Sequence, residues 1–209
     1  MNFLGYAHWF MSIRISQMKN HSIYVDQDIY YTSILEKYLY TVIVKVSKKH
    51  YKTTLPTDMI FTKEDVFTSV EQVEKLTREF NINHRSCIGL LIYILSTRVD
   101  LSFAVHELTK FSANPGKVNF EGLIHILRYI RDNKTLGLKY YADINDVPVT
   151  SMLRKASIKT KNHLMAFSDS SWQDFRDTGR IIGAYIIFYQ GGPIDHSPHV
   201  PGPFAQSSA

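Results

Sequence analysis

Ser86-Cys87-Ile88-Gly89-Leu90-Leu91-Ile92-Tyr93-Ile94-Leu95 decides the fold, because this run is apolar on nearly every side. An element of that kind is buried all round, and the reading is a buried helix. The segment after it, Asp100 to Phe111, places Leu101, Val105, Leu108 and Phe111 on one helical face, and Asn114-Pro115-Gly116 ends it. Phe120 to Arg131 repeats the pattern with Leu123, Ile124, Leu127 and Ile130. Arg128, Arg131 and Lys134 add positive charge toward its C-terminus, the end where the helix dipole favours cations.

Toward the C-terminus the periodicity changes after Asn145-Asp146-Val147-Pro148. Leu164 to Asp169 alternates, Ala184 to Tyr189 is β-branched and aromatic, and Gln190-Gly191-Gly192-Pro193 is a turn. His196 to Phe204 carries three prolines and reads as an irregular loop. Toward the N-terminus, Phe10 to Ile15 alternates as one half-buried strand, Gln17 to Ser22 turns, and Ile23 to Val25 returns. From Asp28 the spacing of Tyr31, Ile34, Leu35, Tyr38 and Leu39 is helical. Residues 51–83 read as loop with one short helix near Val70 to Phe80. The expected class is α+β, a helical region followed by an antiparallel β region, with the boundary near residues 143–163.

With 209 residues, 44% of them hydrophobic and 21% charged, the chain has core material for one large or two small globular domains and is not broadly disordered. The single cysteine, Cys87, excludes an internal disulfide framework and fits a reducing compartment, cytoplasm or nucleus. The longest apolar run is far short of the ~20 residues a bilayer-spanning helix needs, and Met1 to Phe10 lacks a basic n-region and a cleavage site. No membrane association is expected. A net charge of +5 permits contact with phosphate backbones without demanding it. The densest basic cluster is Lys45, Lys48, Lys49 and Lys52, which also suits a solvated loop.

Several stretches, in order, resemble copia-type retrotransposon polyproteins. Arg85-Ser86-Cys87-Ile88-Gly89-Leu90-Leu91-Ile92-Tyr93 is similar to that family's Y-R-x-x-I-G-x-L-x-Y helix. Thr97-Arg98-Val99-Asp100-Leu101-Ser102-Phe103-Ala104-Val105 resembles T-R-P-D-I-x-F-A-V, with Val99 where proline is usual. Asn114-Pro115, Ile126-Leu127-Arg128-Tyr129-Ile130 and Leu136-Gly137-Leu138-Lys139-Tyr140 continue the match. Downstream, Phe167-Ser168-Asp169-Ser170-Ser171-Trp172 resembles Y-S-D-A-D-W, and Gly183-Ala184-Tyr185, Gly191-Gly192-Pro193-Ile194 and Gln206-Ser207-Ser208 follow in order. Near the start, Leu4-Gly5, Phe10-Met11 and Val25-Asp26-Gln27 resemble the segment after the polymerase site.

The resemblance implies that residues 1–150 form the C-terminal part of a reverse transcriptase, with primer-grip, thumb and connection-like elements. It implies that residues 160–209 open an RNase H-like domain, whose incomplete antiparallel sheet ends with the chain. Such a domain cuts the RNA strand of an RNA–DNA hybrid with two Mg2+ ions held by acidic side chains. Asp169 is the one residue matching that metal-binding, catalytic set; read without the resemblance, it is an ordinary turn residue. The family's glutamate would lie just past Ser207-Ser208, so Asp169 is expected to be vestigial, with no ion held productively. The implied partners are an RNA–DNA hybrid or other nucleic acid, through Lys45, Lys48, Lys49, Lys52, Arg128 and Arg131, and the remainder of the polyprotein. Ile181-Ile182 replaces the family's small polar pair.

Other carboxylates read as structural. Tyr24-Val25-Asp26-Gln27-Asp28 imitates a polymerase Tyr-x-Asp-Asp tip, but Gln27 separates the aspartates and helix follows, so Asp26 or Asp28 suits a helix N-cap. Asp174 and Asp177 suit turns, and Asp143-Ile144-Asn145-Asp146 fails as a calcium loop because its twelfth position is Arg154. Asp195, His196 and His199 lie among prolines and suit a loop, and Cys87 suits an inert core thiol. A first strand lacking its neighbour would leave an exposed edge, which predicts marginal stability for residues 160–209. The expected function is therefore a polyprotein fragment, inactive alone. Alternatives are a non-catalytic basic nucleic-acid-binding module and an RNase H completed by another chain.

Overall fold

The computed structural model describes residues 7–39, 50–66, 69–148, 164–171 and 182–199. It holds two compact units, residues 27–136 and residues 1–26 with 137–209. The chain is α+β, with five α-helices and two antiparallel sheets among the described residues.

The helical unit contains α1 (Asp28–Tyr38), α2 (Val70–Phe80), α3 (His84–Ile94), α4 (Ser102–Thr109) and α5 (Lys117–Asp132). Tyr31, Ile34, Leu35 and Tyr38 bury the α1 face expected from their spacing. Helix α2 ends at Asn81, whose left-handed φ of 50° suits an amide side chain. After that turn, the Asn83 side chain accepts a 2.9 Å hydrogen bond from the Ser86 amide and starts α3. α3 and α4 pack together, α1 packs on α3, and α5 lies against α1, α3 and α4.

Helix α3 departs from expectation. Cys87, Ile88, Leu91 and Ile94 are buried, but Ile92 and Tyr93 are 48% and 37% exposed. Its neighbours cover one side only, and apolar side chains on the other side hide that asymmetry from the sequence. Burial pushes the Cys87 thiol up to about 12, against a small opposing pull from Lys37, so the thiol stays protonated and inert.

In the other unit, β1 (Trp9–Phe10), β2 (Ile13–Gln17), β3 (Ile23–Asp26) and β4 (Leu138–Tyr140) form one sheet in that order. The single strand expected over Phe10 to Ile15 is in fact a hairpin. Met11 and Ser12 take φ of 46° and 61°, a two-residue left-handed turn whose twist matches its flanking strands. Alternation continues across so tight a turn, so periodicity alone does not reveal it. Strand β4 was not foreseen; it pairs Tyr140 with Ile23, more than a hundred residues away in the chain.

The second sheet has the order β5 (Leu164–Ser171), β6 (Ile182–Tyr189), β7 (Gly192–His199). Gln190 and Gly191, with φ of 49° and 78°, make another two-residue turn. The loop expected from His196 instead begins as strand, since β7 runs through His199. Its prolines are tolerated because, among the described residues, no further strand pairs with β7, and a bulge at Ile187/Phe188 absorbs one extra residue. The Tyr141 amide donates to the Gln190 carbonyl at 2.9 Å, and the Tyr140 hydroxyl to the Pro193 carbonyl at 2.7 Å.

Candidate functional site

Asp169 sits on β5 opposite Ala184, and the strand continues beyond it to Ser171. It therefore lies within the strand rather than at its end. Alternation groups it with buried Met165 and half-buried Phe167, and the register adds Ile186 and Phe188 to that face. Phe167 and Phe188 meet edge-on at 6.0 Å between centroids. Asp169 itself is exposed, a carboxylate at the rim of an apolar face.

Two magnesium ions each demand several oxygen ligands. Among the described residues, no three His, Cys, Asp or Glu side chains group to hold a metal ion. Asp195 lies on the opposite face of the sheet, where it accepts from the Tyr185 hydroxyl at 3.1 Å and from the His196 amide at 2.8 Å. The described residues do not fit a two-magnesium centre.

The polymerase-like carboxylates have structural roles that differ from the caps expected. Asp26 ends β3 directly across from Arg14, and its Oδ2 accepts from Arg14 Nε and Nη2 at 3.1 and 3.0 Å. The N-cap of α1 is Gln27, with no side-chain cap, and Asp28 occupies the first turn, where a negative charge suits the helix dipole. The Gln27 Oε1 accepts from the hydroxyls of Thr97 at 2.8 Å and Ser96 at 3.2 Å.

Of the basic candidates, Lys45, Lys48 and Lys49 lie outside the described residues, as do Asp174 and Asp177. Lys52 is exposed, on a segment fastened to α5 by its neighbours. The Tyr51 amide donates to Asp132 Oδ2 at 2.8 Å, Asn133 Nδ2 donates to the Tyr51 carbonyl at 3.0 Å, and His125 Nε2 lies 3.0 Å from the Thr53 carbonyl. Arg128 lies over the Tyr51 ring and donates to its hydroxyl at 3.0 Å. Arg131 Nε donates to Asp132 Oδ1 at 2.7 Å. Burial pushes the Asp132 carboxyl up, but Arg131, the Tyr51 amide and His50 together hold it below its usual value. Lys52, Arg128 and Arg131 thus share one flank of α5, with both arginines engaged inside the fold.

The most tightly built polar cluster lies elsewhere. Arg98 is 1% exposed; its Nη1 donates to the Asn133 carbonyl at 3.2 Å, and Tyr31 donates to the next carbonyl, that of Lys134. These bonds anchor the turn that follows α5, with a cation near the helix C-terminus, where the dipole favours one. Asp100 holds the guanidinium from its other side and accepts from the Tyr129 hydroxyl at 3.0 Å. The signal was present in the sequence as Arg98 and Asp100 between two apolar helical runs.

No protein-family profile matches the sequence, and no solved structure matches it. A secreted RxLR effector protein of Plasmopara viticola is 26% identical over 113 residues, covering 54% of this chain and 68% of that protein. The retrovirus-related Pol polyprotein from transposon TNT 1-94 of Nicotiana tabacum is 27% identical over 133 residues, 63% of this chain but only 9% of the polyprotein. An uncharacterised mitochondrial protein of Arabidopsis thaliana is 31% identical over 94 residues, 45% of this chain and 70% of that protein. The chain therefore belongs to the family of that mitochondrial protein and is homologous to the retrovirus-related Pol polyproteins of plant transposons.

Proposed function

We propose that the chain corresponds to a portion of a copia-type reverse transcriptase and RNase H polyprotein, and that by itself it binds RNA–DNA hybrids without cutting them. Residues 1–150 take the place of the reverse transcriptase's C-terminal region, and residues 160–209 that of the opening of the RNase H-like domain. The compact unit of residues 1–26 and 137–209 contains strands from both parts. The observation that carries the reading is the antiparallel meander β5-β6-β7 with a carboxylate, Asp169, on its first strand. A carboxylate placed there supports descent from a nuclease sheet, and the described residues offer no group of three metal-binding side chains for cleavage.

The binding half of the proposal rests on the net charge of +5 and on exposed Lys52 beside α5. Such contacts are to phosphates, so affinity should fall steeply with salt and depend little on base sequence. The remainder of the polyprotein is the proposed partner for chemistry. Incubating the chain with a labelled RNA–DNA hybrid and Mg2+ tests both halves. Retention of the hybrid at low salt with an intact RNA strand supports the reading, and RNA cleavage that Asp169→Asn abolishes overturns it.

A further inference from the structure

His84 opens α3 and is 3% exposed, yet neither of its ring nitrogens has a hydrogen-bond partner among the described residues. Its ring lies 5.1 Å from that of Phe120 on α5, which in turn stacks on Phe80 of α2 at 5.4 Å. Beside Phe120, Asn119 is fully buried, and its Nδ2 also lacks a partner. Its Oδ1 is taken by the Gly116 amide at 2.8 Å. A buried polar atom without a partner destabilises the fold. The site tolerates a neutral imidazole at that cost; an imidazolium would meet only the Asn119 backbone, short of hydrogen-bond geometry.

The position opposes charge for a second reason. The first turn of a helix carries the positive end of the dipole, so a cation at the first residue of α3 is doubly disfavoured. Charged side chains on the surrounding elements do not compensate. Arg78 and Glu79 on α2, Arg85 on α3, and Lys117 and Glu121 on α5 are all exposed. Burial dominates the imidazole and drives its pKa down to about 4, with a weaker opposing pull from the Asn119 backbone, which falls short of a well-formed hydrogen bond.

We infer that His84 is an acid-sensitive latch on the α2–α3–α5 junction, holding it closed while neutral and releasing it when protonated. The sign follows from linkage. A histidine whose folded pKa is depressed contributes stability that is complete above its unfolded value, near 6.5, and is lost as pH falls toward about 4. Over that window the unfolding equilibrium constant should rise by roughly 100-fold from this group alone.

The test is chemical denaturation of the full chain across that pH range, for the natural sequence and for His84→Leu and His84→Gln. Both variants should lose the His84 portion of the pH dependence, flattening the profile to a similar degree. An unchanged slope in either variant would overturn the latch. Should both variants fail to fold, NMR titration of the His84 ring in the natural chain decides the matter. An imidazole that stays neutral until the junction opens supports the latch; one that protonates near 6.5 in the intact fold overturns it.

Discussion

Arg98 and Asp100, two residues apart, close a two-point ion pair, with Nε to Oδ1 at 2.9 Å and Nη2 to Oδ2 at 2.8 Å. The partners are unequally buried: the Arg98 side chain is 1% exposed and that of Asp100 32%. Loss of the aspartate strands a cation in the interior, whereas loss of the arginine leaves a carboxylate that water can reach. Asp100→Ala should therefore cost about 3 kcal/mol, and Arg98→Met should cost less. Urea denaturation of the two single variants checks the order, and the reverse order would contradict the assignment.

Two glycines give opposite predictions. A Cβ on Gly116 would lie 1.5 Å from the Asp65 carbonyl oxygen, whereas a Cβ on Gly89 meets nothing within 4 Å. Gly116→Ala must push backbone aside and should destabilise the helical unit by about 3 kcal/mol. Gly89→Ala, on the open side of α3, should stabilise it by about 0.5–1 kcal/mol through helix propensity. Thermal melts of both variants read the difference.

Asp26 is held by Arg14 and has no metal role in this account. Magnesium should leave the melting temperature of the natural chain and of Asp26→Asn equally unchanged, while Arg14→Ala should lower it by leaving Asp26 buried without that partner. A magnesium-dependent rise that disappears in Asp26→Asn would place a cation at this aspartate.

Helices were the legible part of the fold. Tyr31, Ile34, Leu35 and Tyr38 announced α1, and Val70 to Phe80 formed the one helix expected in the polar middle segment. What escaped reading depended on contacts distant in sequence or on backbone sign. The pairing of Ile23 with Tyr140 leaves no local trace, and the turn at Met11 and Ser12 uses residues that rarely adopt positive φ. Pro198 suggested loop because proline is excluded from central strands, but β7 pairs with no further strand among the described residues and accommodates it. At the candidate site, strand alternation placed Asp169 with Met165 and Phe167. The engagement of Arg128 with Tyr51 and of Arg131 with Asp132 was invisible, because charge alone does not say which cations a fold uses internally.

The central claim is hybrid binding without cleavage, and a salt titration of RNA–DNA hybrid binding in the presence of Mg2+ tests it most directly. The account predicts a linear fall of log affinity with log salt, a shallower slope for Lys52→Ala, and an intact RNA strand in both the natural chain and Asp169→Asn. RNA cleavage that depends on Asp169, or no hybrid binding at the lowest salt, would contradict it.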